Sequence, residues 1–200
     1  MHTIEIFTVV KGDSGYPKLF IEHYKNTFPN CVINIFNNGA TPETLKLFKE
    51  HDCNVISWGP YSEKRLQITK NTCWQNSKAD WVIVSDIDEI AEVSQKDIEE
   101  LPEDVNILSF CGYQMLSQNC KPLPLEQLKH GCIDTRYSKY IMFKPKHKRV
   151  IYDMGAHSAR ISGITSKRVF RLFHYNQGYL KHVSNHAIKH YLYKGIEKLI

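Results

Sequence analysis

No apolar run in this chain approaches the length of a membrane-spanning helix or a secretory core; the N-terminus offers only Ile6 to Val10, after the acidic Glu5. That absence predicts a soluble, cytoplasmic protein. No C-x-x-C pair occurs among Cys31, Cys53, Cys73, Cys111, Cys120 and Cys132, and their irregular spacing predicts reduced, mostly buried thiols in preference to a disulfide framework. No repeat, low-complexity tract or strong linker divides the 200 residues, so one domain with a single core is expected. An H-E-x-x-H zinc motif is missing as well. His182, His186 and His190 recur every four residues along an expected terminal helix, but without a glutamate or cysteine beside them they read as a docking face ahead of a zinc site.

Positive charge is scarce in the first part of the chain and abundant afterwards. Residues 1–120 hold ten Lys and Arg against seventeen Asp and Glu, whereas residues 121–171 hold twelve against three. Such a basic segment suits an anionic partner, whether nucleic acid, a sugar nucleotide or a membrane face, and a plain solvated surface is the alternative.

What is present alternates strand with helix. Thr3 to Val10 is rich in β-branched residues and runs into the loop Lys11 to Gly15; a helix then starts at Pro17 and stops at Pro29-Asn30. Val32 to Phe36 is a second strand, Thr41 caps a helix with Pro42 at its first position, and Cys53 to Trp58 is a third strand. A helix from Ser62 to Ser77 precedes the strand Trp81-Val82-Ile83-Val84. This order predicts a parallel sheet, with the residues after Val84 at its carboxyl edge, where open α/β sheets bind ligands. Farther on, an acidic helix is expected over Ser94 to Leu101 and strands over Asn106 to Met115, Lys139 to Phe143, Val150 to Met154 and Arg168 to Phe173. Gln118 to Arg136 reads as irregular, and a terminal helix from Gln177 continues through Tyr193 to Ile200, as though the chain were one module of a longer protein.

The stretch Ser85-Asp86-Ile87-Asp88-Glu89 follows the apolar strand directly. Carboxylates this close repel one another unless a cation or hydrogen-bond donors intervene, and an oxygen-rich set suits Mg²⁺ or Mn²⁺. Helix-capping acids are the alternative. Asp86 and Asp88 would point to opposite faces of an extended strand, so at least one must sit in a turn. Glu89 reads as a supporting or structural residue.

Ala79-Asp80-Trp81-Val82-Ile83-Val84-Ser85-Asp86-Ile87-Asp88-Glu89, with Asn37-Asn38-Gly39-Ala40-Thr41 after the second strand, resembles the D-x-D segment and surroundings of the family-2-like GT-A nucleotide-sugar glycosyltransferases. Met154-Gly155-Ala156-His157-Ser158 and Phe173-His174-Tyr175 fall where related members carry histidine-bearing segments, and small glycosyltransferase domains of large algal viruses are similar in length. The resemblance implies a GT-A, Rossmann-like fold with a mixed, mainly parallel central sheet flanked by helices in a single domain. Residues 1–90 would form a nucleotide-binding half, and residues 91–200 an acceptor half. It implies transfer of a sugar from a UDP-sugar or similar donor to a hydroxyl of a glycan or glycoprotein, with Mn²⁺ or Mg²⁺ and without nucleic acid, in the cytoplasm (a host's, if the chain is viral).

By the same resemblance Asp86, Asp88 and His174 hold the metal, while Thr8, Val9, Lys11 and Asn38 border the nucleoside. An asparagine stands where the family commonly has an acid. Arg65 approaches the phosphates or is an exposed helical arginine, and Trp58 and Tyr61 cover a base or pack. His157 contacts phosphate or acceptor and is interchangeable in role with His174. An inverting enzyme needs a base, for which Asp134 and Asp153 are the only acids between Gln127 and Arg171; a retaining enzyme needs none there. Lys139, Lys144, Lys146, Lys148 and Arg149 stabilise a leaving diphosphate or form solvated surface. A sugar-nucleotide nucleotidyltransferase and a non-catalytic nucleic-acid- or glycan-binding module are the competing readings.

Overall fold

A computed structural model describes residues 1–12, 15–118, 123–147, 150–154, 158–175, 190–191 and 194–200. Alternation of side chains along its first strand, β1 (Ile4–Lys11), sends Ile4 and Ile6 to one face of a sheet and Phe7 to the other. On the Ile6 side, α1 (Tyr16–Thr27) contributes Phe20, Ile21 and Tyr24, all fully buried. β2 (Val32–Asn38) pairs with β1 in parallel. Thr41 accepts a hydrogen bond from the Thr44 amide and so caps α2 (Pro42–Glu50), which returns the chain to the edge strand β3 (Asn54–Ser57). After α3 (Glu63–Thr72), β4 (Trp81–Val84) crosses to the other side of β1 and pairs with it in parallel, Ile4 opposite Trp81 and Phe7 opposite Val84.

That crossing makes a topological switch. The chain leaves β1 toward β2 and β3, then returns to β1's opposite flank, opening a crevice beyond the carboxyl ends of β1 and β4. All four β4 residues are buried, Trp81 and Ile83 against the α1 side and Val82 and Val84 against Trp74, Phe143 and Tyr152. Burial on both faces explains the unbroken apolar run.

The second half makes the sheet mixed. β5 (Glu89–Glu92) follows a four-residue turn after β4, and α4 (Gln95–Glu99) begins with a Ser94–Asp97 capping box. β6 (Ile107–Leu116) then runs parallel to β11 (Thr165–His174) and antiparallel to β7 (His130–Ile133) and β8 (Met142–Phe143). β8 also joins β4, and β5 lines the far side of β11. β9 (Val150–Tyr152) and β10 (Ala159–Ile161) form a separate hairpin under α3, held by Gln67 and Asn71 donating to the Tyr152 carbonyl at 3.1 Å each. The expected α/β architecture, one central sheet with flanking helices, is therefore present; its longest pairings, β1 with β2 and β6 with β11, are parallel.

Three expectations need correction. Residues 118–136 are not wholly irregular, because β7 lies within them. The helix read from Ser62 to Ser77 spans Glu63–Thr72, with Ile68 52% exposed; the buried face runs through Lys70 and Trp74 instead. The chain does not stay helical to Ile200: Lys194 is helical, but Gly195 takes φ +82°, a helix-stopping conformation, and β12 (Glu197–Lys198) pairs with Gly131 and His130 of β7. Most of the proposed terminal helix, including His182 and His186, lies outside the described residues.

Candidate active site

β4 ends at Val84, so the Asp86–Glu89 segment turns instead of extending. The Glu89 amide donates to the Asp86 carbonyl at 3.1 Å, and the Asp86 amide donates to Glu89 Oε2 at 3.3 Å. This turn removes the opposed-face problem that an extended strand would impose on Asp86 and Asp88. Glu89 is 1% exposed and acts from beneath, tying the turn to Lys139 through a 2.5 Å contact.

Strand register brings the remaining parts together. His174, the last residue of β11, lies opposite Glu89 on one side and Gln114 of β6 on the other. Gln114 is fully buried, and its amide nitrogen donates to the carbonyls of His174 and Met115 at 2.9 and 3.1 Å. The amide oxygen consequently faces His174 Nδ1, 2.8 Å away, and makes that nitrogen the donor. His174 Nε2 is left facing Asp88 Oδ2 at 3.5 Å. Tyr137 stacks on the imidazole, with centroids 3.7 Å apart and planes 14° from parallel.

Asp86 is held differently. Its Oδ1 meets Lys70 Nζ at 2.6 Å and its Oδ2 meets Lys139 Nζ at 3.2 Å. Burial alone would push its carboxyl up, but the two ammonium groups outweigh burial and hold it well below the usual carboxylate range. For Lys139 burial acts downward, and Glu89 and Asp86 more than offset it, so its ammonium is held above the ordinary lysine value. Asp88 has the opposite balance: burial first, then Asp86 and Glu89, push its carboxyl up to about 7. Among the described residues, Asp88 is thus the acid in this group that no lysine touches; the more distant Lys139 charge offsets the shift only in part.

Among the described residues, no group of three or more His, Cys, Asp and Glu side chains has metal-holding geometry, and both oxygens of Asp86, one of the three residues expected to ligate a metal, are engaged by lysines. Asp88 with His174 nevertheless suits a divalent cation. A carboxylate and an imidazole nitrogen face each other, Nδ1 is already committed as a donor, and Mg²⁺-type sites are commonly held by one or two protein groups together with substrate phosphates and water.

The nucleoside-side residues gather at the same edge. The Thr8 hydroxyl is buried and has no partner among the described residues, and Val9 is half-buried. Lys11 Nζ sits 4.4 Å from the centroid of the Tyr61 ring, and Asn38 donates to the carbonyls of Gly59 at 2.6 Å and Trp58 at 3.3 Å. Trp58 is buried, its indole N–H bonded to Thr69 at 2.8 Å, while the Arg65 guanidinium lies 6.0 Å from its ring. A larger groove of about 630 Å³ opens at the other end of β1 and β2, but Glu5 there is already bonded to Asn34 and Ser77.

The candidate bases separate. Asp134 is 1% exposed and clasped by Arg136 at 2.9 and 2.6 Å, with the Tyr191 hydroxyl donating at 3.4 Å. Asp153 accepts from the Ser158 hydroxyl at 2.8 Å near the end of β9. His157, Lys148 and Arg149 lie outside the described residues. Lys144 donates to the Glu103 carbonyl and covers Trp81, while Lys139 leaves the basic run altogether to enter the acid cluster. Sequence reasoning missed Lys70. Its one signal is a lysine four residues before Trp74, on the buried face of a polar helix.

No protein-family model matches this sequence, and no curated protein matches it. Among solved structures, S. aureus TarS superposes with a TM-score of 0.48 at 9% identity, over 86% of this chain and 36% of that one. A glucosyl-3-phosphoglycerate synthase from Mycobacterium tuberculosis, in complex with Mn²⁺, UDP and glucosyl-3-phosphoglycerate, gives 0.38 at 12% identity, over 56% and 44%. The mannosyltransferase PcManGT from Pyrobaculum calidifontis, in complex with GDP-Man and Mn²⁺, gives 0.37 at 10% identity, over 53% and 34%. This chain spans roughly a third to three-fifths of the length of the structures it matches.

Proposed function

We propose that the chain is a glycosyltransferase that moves a sugar from a nucleoside-diphosphate sugar, a UDP-sugar by the sequence resemblance, to a hydroxyl of a glycan or glycoprotein. The observation that carries this reading is the pair Asp88 and His174, two electron-pair donors facing each other at 3.5 Å beside a lysine-bound Asp86, at the switch point between β1 and β4. A divalent metal held by Asp88 and His174 would neutralise the diphosphate as the glycosyl–phosphate bond breaks.

The chain's own groups divide the remaining work. Thr8, Val9 and Asn38 border the nucleoside, and Lys11 with Tyr61 forms a cationic, aromatic rim above it. Asp86 holds Lys70 and Lys139 in place, and Glu89 fixes the turn that presents Asp88. Of the two acids considered as a base, Asp153 suits the role better, since Asp134 is sealed and held as a carboxylate below its usual range by Arg136 despite its burial. The basic second half faces an acceptor under this reading.

Calorimetric titration with UDP-, GDP- and TDP-sugars, with and without Mn²⁺, tests the proposal. Mn²⁺-dependent binding of one donor class, lost in Asp88→Ala with the fold intact, is the expected result. No binding of any sugar nucleotide, together with steeply salt-dependent binding of RNA or DNA, would move the chain to the class of non-catalytic modules.

A further inference from the structure

Residues 134–138, between β7 and β8, turn directly against β6 at Gly112. The Gly112 amide donates to the Ser138 hydroxyl at 3.0 Å, and the Gly112 carbonyl accepts from the Asp134 amide at 2.9 Å. Asp134 also caps the 3-10 turn Thr135–Tyr137, accepting from the Arg136 amide at 3.2 Å. The approach is so close that a Cβ on residue 112 would stand 2.4 Å from the Tyr137 carbonyl carbon and 2.6 Å from the Tyr137 Cβ. Only glycine leaves room for this backbone.

Gly112 and Gln114 are two positions apart on β6 and so share a face, and in the parallel ladder Leu172 and His174 stand opposite them. A turn seated on Gly112 therefore delivers Tyr137 to His174, where the two rings stack with centroids 3.7 Å apart and planes 14° from parallel. Gln114 Oε1 fixes one point of the imidazole, at Nδ1. It does not fix the ring plane, because the terminal torsion of a histidine side chain is broad. The Nε2 lone pair lies in that plane, so the direction in which His174 can donate to a cation follows the ring. We propose that Tyr137, seated by Gly112, is a positioning residue that holds the His174 ring in the plane where Nε2 and Asp88 Oδ2 converge on one divalent cation. This inference rests on the Asp88–His174 metal pair of the reading above.

The test measures Mn²⁺ affinity by electron paramagnetic resonance, alone and with UDP or GDP, for the wild-type chain, Tyr137→Phe, Tyr137→Leu and Gly112→Ala. Tyr137→Leu is expected to weaken Mn²⁺ binding about three- to tenfold, the size of a lost ring stack, and Tyr137→Phe, which keeps the ring, by less than about twofold. Gly112→Ala should match Tyr137→Leu, and combining the two should add nothing, because both act through one contact. Nuclear magnetic resonance supplies a readout that needs no metal: the His174 ring protons are expected to be displaced upfield by the tyrosine ring current in the wild type and in Tyr137→Phe, and to return in Tyr137→Leu. The wild-type spectrum carries the test if the substitutions do not fold. Wild-type Mn²⁺ binding that Tyr137→Leu leaves unchanged, an equal loss in Tyr137→Phe, or a wild-type spectrum without the displacement overturns the inference and leaves the metal pair standing. Absence of wild-type Mn²⁺ binding under every condition overturns both.

Discussion

Gln114 determines which nitrogen of His174 carries the proton. Its amide nitrogen is committed to two backbone carbonyls and its oxygen lies 2.8 Å from Nδ1, so the imidazole presents Nε2 to Asp88. Replacing Gln114 with Leu removes that orientation. Mn²⁺ affinity, followed by electron paramagnetic resonance, is expected to fall about 10- to 100-fold, as it does when the outer partner of a metal-bound histidine is lost. Gln114→Glu, which keeps an acceptor toward Nδ1, should recover part of it.

Asp86 and Asp88 should differ in stability measurements despite their sequence proximity. Asp86→Asn strips the shared anion from Lys70 and Lys139 and is expected to cost on the order of 2 kcal/mol in urea unfolding. That is below the figure for a fully buried pair, because the Asp86 side chain is 32% exposed. Asp88→Asn removes a carboxylate that burial and two neighbouring acids disfavour, so in metal-free buffer it should leave stability unchanged or raise it.

Lys139 and Glu89 are 4% and 1% exposed at their side chains. Lys139→Met strands a buried carboxylate and should destabilise by about 3–5 kcal/mol, whereas Lys139→Met combined with Glu89→Gln should cost clearly less than the sum of the single changes. Additive losses in chemical denaturation would show that the two side chains are not coupled.

Acid stability should depend on Asp134. Its folded-state value is depressed: burial opposes the shift, and the Arg136 hydrogen bonds and charge exceed it. The stabilisation is present above the unfolded carboxylate value of about 4 and is lost as pH falls below it toward the folded value. Asp134→Asn is expected to flatten that acid limb of a melting-temperature-against-pH curve while changing the region above pH ~5 by a constant offset.

Much of the first half could be read from residues, because its elements are locally encoded. Thr41-Pro42 announces a capped helix, and the unbroken Trp81–Val84 run announces a strand buried on both sides. β7 and β12 were harder to read, since strands of two to four residues owe their existence to partners elsewhere in the chain, β12 to β7 about 65 residues earlier; β10 is only three residues long. The acid cluster was legible as chemistry but incomplete. Lys139 hides in a run of similar lysines, and its burial follows from the 3-10 turn at Thr135–Tyr137 and the entry into β8. Lys70 sits in a helix whose apolar pattern is too weak to mark an inward face. Gln114 carries no motif; its role comes from lying opposite His174 in a parallel ladder.

The pairing of β1 with β4 joins Ile4 to Trp81, and that of β11 with β5 and β6 brings His174 to residues that precede it by 60 positions or more. During synthesis the opening strand can acquire β2 early, but its other flank stays bare until Trp81 has cleared the ribosome. His174 reaches Asp88 only after β11 has been made and has paired with β5. Closing such long loops costs entropy before any contact repays it. β4 can join β1 as it emerges, but its other edge stays bare until β8 at Met142–Phe143 has been made, and chaperone capture at Trp81–Val84 would protect it through that interval.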